Sequence, residues 1–210
     1  MKPYYQEDGI TIYHGDCRDI LPHLEPVDFI FADPQYGVGF EYANDKDLRA
    51  GYVEKIPVWF SLFRATNIAI TPGMVNVCYW PQPRWILAWL KTNSMGANML
   101  SGPSMVSRNL WEPVLWYGSY PPRQISRDTI KAPIITGDKN GHPCPKPISL
   151  MTQIVDFASL QGQTILDPFM GSGTTLVAAK QLGRKAIGIE IEKKYCDIAI
   201  ERLRQGVLGL

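Results

Sequence analysis

The sequence predicts an α/β fold built on a mostly parallel sheet, and two observations support this prediction. Short apolar segments alternate along the chain with amphipathic segments of helical period, which is typical of the strand and helix units that build a parallel sheet. The chain has 210 residues, of which 45% are hydrophobic and 20% charged, as in an ordinary globular protein. We therefore expect one domain over residues 1–210, with one buried core.

The elements are predicted in chain order from apolar periodicity and from turn residues. The predicted strands are residues 10–14, 27–32, 67–71, 85–91, 112–117, 164–166 and 186–189, and the predicted helices are residues 17–24, 55–64, 148–158, 174–182 and 192–204. Residues 37–47 are predicted to form a loop. Residues 119–141, rich in Pro, Arg and Gly, are predicted to form an irregular surface excursion.

Composition excludes several classes of protein. The N-terminal segment MKPYYQEDG has no apolar signal core, and no apolar run approaches the roughly 18–20 residues of a membrane span, so we expect a cytoplasmic protein. The four cysteines lie far apart without a CxxC pair, which predicts neither a zinc site nor disulfide bonds. The three histidines are scattered as well, so no metal site is predicted.

Charge is distributed unevenly, although the net charge is only +1. Residues 84–146 hold 8 basic and 3 acidic side chains, whereas residues 1–83 hold 6 and 11. A basic middle segment suits a nucleic-acid contact surface, and a merely solvated basic surface explains the charge equally well. The basic residues considered for DNA contact are Arg84, Lys91, Arg108, Arg123, Arg127, Lys131 and Lys139.

The strongest signal in the chain is the segment ILDPFMGSGTTLVAAKQLGRKAIGIEIE. A predicted strand runs into Asp167, a loop with Gly171 and Gly173 follows, and the next predicted strand leads to Glu190. This spacing is that of a nucleotide-binding βαβ unit, in which glycines let a ligand approach the backbone and the final acid binds ribose hydroxyls. Asp167 would repel a pyrophosphate but attract a ligand with an ammonium and a sulfonium group, and S-adenosylmethionine is such a ligand.

A second motif, FADPQYGVGF, follows an apolar strand at residues 31–40. Its core, DPQY, places a carboxylate, a proline-restricted backbone and an aromatic ring within four residues. Alone it is consistent with an ordinary turn, because Asp-Pro pairs start many turns. Together with the glycine loop it suits an active site.

These motifs resemble those of the amino-group DNA methyltransferases, the enzymes that make N6-methyladenine or N4-methylcytosine. DPFMGSGTT followed by AIGIEIEKKYCDIAIERL is similar to the family's cofactor motif, and DPQY, residues 33–36, to its catalytic D-P-P-Y motif. HPCPKP, residues 142–147, resembles the family's H-P-x-x-K-P element, and GDCRDIL, residues 15–21, resembles the segment that reaches the cofactor's adenine. The catalytic motif precedes the cofactor motif, which is the order of the β group.

The resemblance implies a Rossmann-like methyltransferase fold, in which a three-layer α/β/α arrangement surrounds a mixed, mostly parallel sheet of seven strands. It also implies S-adenosylmethionine as the cofactor, double-stranded DNA as the substrate and a role in restriction and modification. The implied cofactor-binding residues are Asp16, Cys17, Lys146, Asp167, Pro168, Phe169, Gly171, Ser172, Gly173, Thr174 and Glu190. The implied catalytic residues are Asp33, Pro34 and Tyr36.

The chemistry explains why these residue types are needed. The lone pair of an exocyclic amine is conjugated into the ring, and acceptors for both amino hydrogens pull the nitrogen toward a tetrahedral, nucleophilic geometry. The Asp33 carboxylate and the Pro34 carbonyl are the expected acceptors, and Tyr36 is expected to stack on a flipped base. Gln35 replaces the second proline of the motif, which keeps both acceptors but removes a residue that stiffens the loop. Weak activity, or an inactive DNA-binding relic, therefore stays an alternative.

The expected target is the N6 amine of adenine, because an acid at the first position of the motif is commoner in the family's adenine enzymes. Cytosine N4 is the near alternative, and an RNA base or a protein amide is a more distant one. Cys144 follows Pro143, as in cytosine-C5 methyltransferases, but that nucleophile normally follows the cofactor loop and here precedes it. Residues of about 92–140 form the expected target-recognition region, whose arginines are candidates for base contacts. A homodimer is left open.

Overall fold

The computed structural model describes residues 2–36, 38–42, 45–93, 109–135 and 145–205. In these residues, strands β1 to β11 are Tyr5–Glu7, Ile10–His14, Val27–Ala32, Val38–Tyr42, Asp45–Leu48, Ala65–Ile70, Trp85–Lys91, Trp111–Gly118, Thr129–Ala132, Thr164–Asp167 and Lys185–Glu190. Helices α1 to α5 are Cys17–Ile20, Arg49–Leu62, Ile148–Ala158, Thr174–Gln181 and Lys193–Gln205. Leu21–His23 and Met74–Tyr79 form 3-10 helices.

Nine of these strands form one sheet, in the order β1, β2, β11, β10, β3, β6, β8, β7, β9. Strands β2, β11, β10, β3 and β6 run parallel to one another, and β8 is antiparallel to both β6 and β7. The pairing of β2 with β11 joins the two ends of the chain, with Ile12 opposite Gly188. The predicted α/β fold with a mixed, mostly parallel sheet is confirmed.

Helices cover both faces of the sheet. Helices α3, α4 and α5 pack on the face that carries Phe29 and Phe31, whereas α1 and α2 pack on the face that carries Ile30 and Ala32. Successive side chains of a strand point to opposite faces, and these four are buried because both faces are covered. The predicted three-layer arrangement is therefore confirmed. None of the described helices combines the length and apolar character that crossing a membrane requires.

The predicted number of seven strands is wrong, because the sheet has nine. The additional strands lie at the two edges, where β1 pairs antiparallel with β2 and β9 pairs parallel with β7. They have only three and four residues, so no alternating apolar pattern stands out, and the neighbouring strand decides their conformation. Two further differences are β4 and β5, which pair within the predicted loop, and α1, which ends at Ile20 before a 3-10 turn.

The parallel strands bring acidic residues to one edge of the sheet. Strands β2, β11, β10 and β3 are neighbours, so the residues at and just after their carboxyl ends lie along the same edge. These residues include Asp16, Glu190, Asp167 and Asp33. The sheet therefore assembles motifs from both ends of the chain into one region.

Gly173 stands where the glycine loop enters α4, close to α5. It has a φ of +80°, and an added Cβ would lie 2.7 Å from the Cβ of Ala199. We predict that Gly173→Ala lowers the free energy of unfolding by on the order of 3 kcal/mol, because backbone strain and overpacking act together. Urea denaturation would measure this loss.

Gly162→Ala is the matched control for backbone strain alone. Gly162 has a φ of +82°, but an added Cβ would meet no described atom within 4 Å. Its expected loss is on the order of 1 kcal/mol. Equal losses for the two variants would contradict the role given to the contact between the glycine loop and α5.

Candidate active site

The end of β3 carries a dense hydrogen-bond network around Asp33. Its Oδ1 accepts hydrogen bonds from the Thr71 hydroxyl at 2.5 Å, from Lys146 Nζ at 2.7 Å and from the Tyr36 hydroxyl at 2.9 Å. Its Oδ2 accepts a hydrogen bond from Lys146 Nζ at 2.6 Å. The Lys146 and Asp33 side chains are 12% and 21% exposed, so water screens this ion pair only weakly. The structure thus brings together three residues that the sequence predicted, and it adds Thr71.

A second ion pair extends this network. Lys91 Nζ lies 2.6 Å from Glu112 Oε1, and the two side chains are 4% and 13% exposed. The other oxygen of Glu112, Oε2, lies 3.5 Å from the Tyr36 hydroxyl. Burial, followed by the negative charges of Asp33 and Glu112, raises the pKa of Tyr36 well above its usual value. The phenol therefore stays protonated, and its hydroxyl donates a hydrogen bond to Asp33. Lys91, one of the basic residues considered for DNA contact, is instead buried in this pair.

The DPQY turn is held in place by contacts from the segment that follows the neighbouring strand, β6. Asn76 is fully buried, and its Nδ2 donates to the Tyr36 carbonyl at 2.8 Å and to the Pro72 carbonyl at 3.1 Å. Gly73 packs against the Tyr36 ring, since an added Cβ would lie 2.9 Å from the ring carbon Cδ2. No local pattern in the sequence links Asn76 or Gly73 to the motif, so neither residue was predicted. Only the pairing of β6 with β3 makes this link.

Asp167, at the end of β10, is 2% exposed. Its Oδ1 accepts a hydrogen bond from the Phe169 amide at 3.0 Å. Burial raises the pKa of Asp167 to about 7, with smaller contributions from the negative charges of Asp33 and Glu190, although hydrogen bonds from Thr175 and Phe169 act in the opposite direction. A positive charge bound beside this carboxyl group would favour its ionised form.

Glu190, at the end of β11, joins the glycine loop to the segment before α5. Its Oε2 accepts a hydrogen bond from the Gly171 amide, and its Oε1 accepts one from the Glu192 amide, both at 2.8 Å. Burial raises the pKa of Glu190, and the two amide hydrogen bonds oppose this shift. Each carboxylate oxygen has two lone pairs, so this group can accept further hydrogen bonds.

The glycine loop is also held by Arg202 of α5. Arg202 Nη1 donates to the Ser172 carbonyl at 2.7 Å, to the Ser172 hydroxyl at 2.8 Å and to the Thr174 hydroxyl at 3.1 Å. Two of the residues predicted to bind the cofactor therefore use their hydroxyl groups within the protein. Arg202 was not predicted, because a basic residue near the end of an amphipathic helix normally indicates only a solvated face.

The segment after β2 lies beside the Glu190 strand, since the Gly15 amide donates to the Glu190 carbonyl at 2.9 Å. Asp16 caps the N-terminus of α1 by accepting from the Arg18 amide at 2.8 Å, and its Oδ2 pairs with Arg18 Nη2 at 2.5 Å. This side-chain contact lowers the pKa of Asp16. Cys17 is buried, and burial raises the pKa of its thiol to about 12, which makes a nucleophilic role unfavourable.

Other predicted site residues contribute through burial and packing. Pro34 and Pro168 are buried, and Gln35 is partly exposed. Phe169 packs edge to face against Trp59 of α2, with ring centroids 5.1 Å apart. Helix α2 therefore contacts the glycine loop through an aromatic pair.

The basic residues of the middle segment have several environments. Arg123 pairs with Asp156 at 2.8 Å, and the guanidinium of Arg84 lies over the Tyr120 ring, 4.3 Å from its centroid. Arg127 and Lys131 are exposed. The candidates Arg108, Lys139, His142, Pro143 and Cys144 lie outside the described residues, as does much of the predicted recognition region.

Comparison with known proteins agrees with this geometry. The family model for N6 and N4 methyltransferases, described as DNA methylase, matches residues 107–201. The chain is 27% identical to the type II methyltransferase M.ScaI of Streptomyces caespitosus, with 96% of this chain and 84% of that protein covered. It is 29% identical to the type II methyltransferase M2.DpnII of Streptococcus pneumoniae, with 96% and 92% covered.

Solved structures show the same architecture. The M1.HpyAVI-SAM complex is similar with a TM-score of 0.70 at 26% identity, and the match covers 92% of this chain and 98% of that chain. The PvuII DNA methyltransferase, described as cytosine-N4-specific, shares the fold with a TM-score of 0.72 at 15% identity, over 96% and 88% of the two chains. The predicted Rossmann-like methyltransferase fold is therefore confirmed. The family match over residues 107–201 and the curated relatives show that the chain is similar to the amino-group DNA methyltransferases.

Proposed function

We propose that this protein is an S-adenosylmethionine-dependent DNA methyltransferase that methylates the exocyclic amine of a flipped base, with adenine N6 as the target. One observation carries the proposal: both oxygens of the Asp33 carboxylate, at the end of β3, bind a nitrogen cation, the ammonium of Lys146. During methylation the target nitrogen loses its conjugation and gains positive charge. A carboxylate held in place by the protein stabilises such a nitrogen more as the reaction proceeds.

The residues at the sheet edge fit S-adenosylmethionine. Its sulfonium and ammonium groups are positive, and acidic side chains follow neighbouring strands at this edge, whereas a pyrophosphate would be repelled. The remaining acceptor capacity of Glu190 suits the ribose hydroxyls. The M1.HpyAVI structure, solved with SAM, supports the same cofactor for this chain. When bound, the cofactor supplies an electrophilic methyl group.

We propose that the loop from Asp167 to Thr174 contributes mainly backbone groups and shape to the cofactor site. This follows from the Ser172 and Thr174 hydroxyls, which accept hydrogen bonds from Arg202. Glu190 is the proposed ribose acceptor. Asp16 and Cys17 lie near the proposed adenine position, because the segment after β2 is bonded to the Glu190 strand.

The proposed reaction uses two acceptors on this chain. The Asp33 carboxylate accepts one amino hydrogen of the target base and the Pro34 carbonyl accepts the other, which makes the nitrogen tetrahedral and nucleophilic. After transfer the nitrogen is cationic, so Asp33 stabilises it until the proton leaves. Thr71 and Tyr36 act as positioning residues, because their hydroxyls hold Asp33 Oδ1. Tyr36 also provides the proposed stacking surface for the flipped base, and Gly73 supports its ring.

The structure gives a physical reason why Gln35 is compatible with activity. The proline that normally stands at this position would stiffen the turn. Here the Tyr36 carbonyl is held by Asn76, the Tyr36 ring packs against Gly73, and the Asp33 carboxylate is held by Thr71. None of these contacts uses the side chain of residue 35. We therefore favour an active enzyme over a DNA-binding relic.

The curated relatives support double-stranded DNA as the substrate and a role in restriction and modification. The alignment with M.ScaI extends over 257 positions, and this chain has 210 residues, so at least 47 positions are present only in the relative. We propose that residues of about 92–140 form a correspondingly small recognition region within a single domain. A protein of this size contacts only a short stretch of the DNA duplex, which favours a homodimer on DNA. We propose that it acts in the cytoplasm.

Removing the charge of Asp33 tests the proposed reaction. We predict that Asp33→Asn lowers kcat by on the order of 100-fold to 1,000-fold, because the neutral amide no longer stabilises the cationic nitrogen. Transfer of labelled methyl from S-adenosylmethionine to unmethylated double-stranded DNA measures the rate. Digestion to nucleosides and mass analysis then identify the base, and N6-methyladenine is expected.

The control is Asp28→Asn, at the opposite end of the same strand, where the carboxylate accepts from Gln163 Nε2 and the Thr164 amide. Its rate should stay within about threefold of the wild-type rate. N4-methylcytosine as the product would overturn the choice of adenine. Label in RNA or protein but not in DNA would overturn the substrate, and equal rates for wild type and Asp33→Asn would support a relic.

A double-mutant cycle tests whether Asn76 replaces the missing proline. Asn76→Leu leaves the Tyr36 carbonyl without its donor, so we expect it to lower kcat by about tenfold. In the Gln35→Pro background the same change should cost only about twofold, a coupling of about 1 kcal/mol. Urea denaturation of all four proteins separates loss of fold from loss of rate. An identical loss in the two backgrounds would contradict the compensation.

A further inference from the structure

We propose that the Lys146 ammonium occupies the position on Asp33 that the target amine takes during the reaction, and that the entering base displaces it. This inference rests on the proposed methyl transfer to an exocyclic amine. It gives Lys146 a role toward the target base, in addition to the cofactor contact predicted from the sequence.

The two oxygens of Asp33 differ in their partners. Oδ1 accepts from Thr71, Tyr36 and Lys146, which uses all the acceptor capacity that a carboxylate oxygen normally has. The described donor to Oδ2 is Lys146 alone, at 2.6 Å. Oδ2 is therefore the oxygen that can exchange its partner while Thr71 and Tyr36 keep the carboxylate in place.

The Lys146 ammonium resembles the reacting nitrogen. It is tetrahedral, positively charged and carries hydrogens that it donates. The target nitrogen already carries such hydrogens, and it becomes tetrahedral and positively charged as the methyl group is transferred. A site that stabilises one group therefore stabilises the other. Because both need Asp33 Oδ2, they exclude each other.

The ion pair of Lys146 with Asp33 also stabilises the site when no DNA is bound. Asp33 stands close enough to Asp167 for its charge to raise the pKa of that group, and Glu112 contributes another negative charge beside Tyr36. A cation on Asp33 offsets this repulsion.

The Lys146 side chain can move while its backbone stays in place. It stands between Pro145 and Pro147, both buried, and Pro147 caps the N-terminus of α3. Its flexible four-carbon side chain can leave Asp33 while these prolines keep the main chain fixed. Lys146 Nζ also donates to the Tyr36 hydroxyl at 3.0 Å.

Lysine ammonium NMR tests the displacement directly, and Lys91 is an internal control. Both Lys146 and Lys91 form shielded pairs with carboxylates at 2.6 Å, so both ammonium groups should give resonances protected from exchange with water. Lys146→Arg and Lys91→Arg assign the two resonances, because each variant removes one of them. The protein is then saturated with S-adenosylhomocysteine and a short duplex that carries the site found methylated in cells.

We expect the duplex to make hydrogen exchange of the Lys146 ammonium at least about tenfold faster, or to shift its resonance, while Lys91 stays unchanged. The matched control is the same duplex with the target base replaced by its analogue without the amino group, which should leave Lys146 on Asp33. Asp33→Asn without DNA should speed exchange at Lys146 alone.

Three outcomes would overturn the inference: an unchanged Lys146 resonance in the saturated complex, equal effects of the two duplexes, or equal changes at Lys146 and Lys91. Methyl transfer by the wild type to the same duplex is measured in parallel. If methyl groups are transferred to DNA without any change in the Lys146 resonance, the proposed displacement is wrong but the proposed function still holds. If no DNA is methylated, the proposed function fails and the displacement fails with it.

Discussion

Burial of the carboxylates at the edge of the sheet, together with their mutual repulsion, is the constraint on which the rest of the site depends. Neighbouring strands lie about 5 Å apart, so acidic groups that end β2, β11, β10 and β3 would repel one another strongly where water is excluded. Each carboxylate is stabilised in a different way. Asp16 pairs with the guanidinium of Arg18, Glu190 accepts hydrogen bonds from two backbone amides, and Asp33 pairs with Lys146. Asp167, whose pKa burial raises to about 7, is partly protonated at neutral pH.

Some of the groups that stabilise these carboxylates are fixed in the protein, whereas others can dissociate. The backbone amides on Glu190 belong to the glycine loop and to the segment before α5, so they tie the loop to the sheet and cannot leave. The proton on Asp167 and the ammonium on Asp33 can leave. We infer that these are the two positions where a cationic ligand takes over the stabilising role, the cofactor near Asp167 and the target nitrogen at Asp33.

Sequence patterns predicted the elements and the residues that belong to continuous motifs, because periodicity and motif spacing are local properties. Strand β7 and helix α3 have the predicted bounds, whereas the three-residue β1 and the four-residue β9 are too short to carry a pattern. The supporting residues Thr71, Asn76 and Arg202 could not be predicted. Each acts on a motif from another part of the chain, and only the strand order and helix packing bring them together.

Proton release on cofactor binding tests the charge-relief account most directly. With a pKa of about 7, Asp167 is about half protonated at pH 7, and a bound cation lowers that pKa. Cofactor affinity should therefore weaken as the pH falls below 7. Calorimetry of S-adenosylmethionine binding in buffers of different ionisation enthalpy should show that the wild type releases more protons than Asp167→Asn at pH 7, and that the two proteins differ little at pH 9. The same proton exchange in the wild type and in Asp167→Asn at pH 7 would contradict the account.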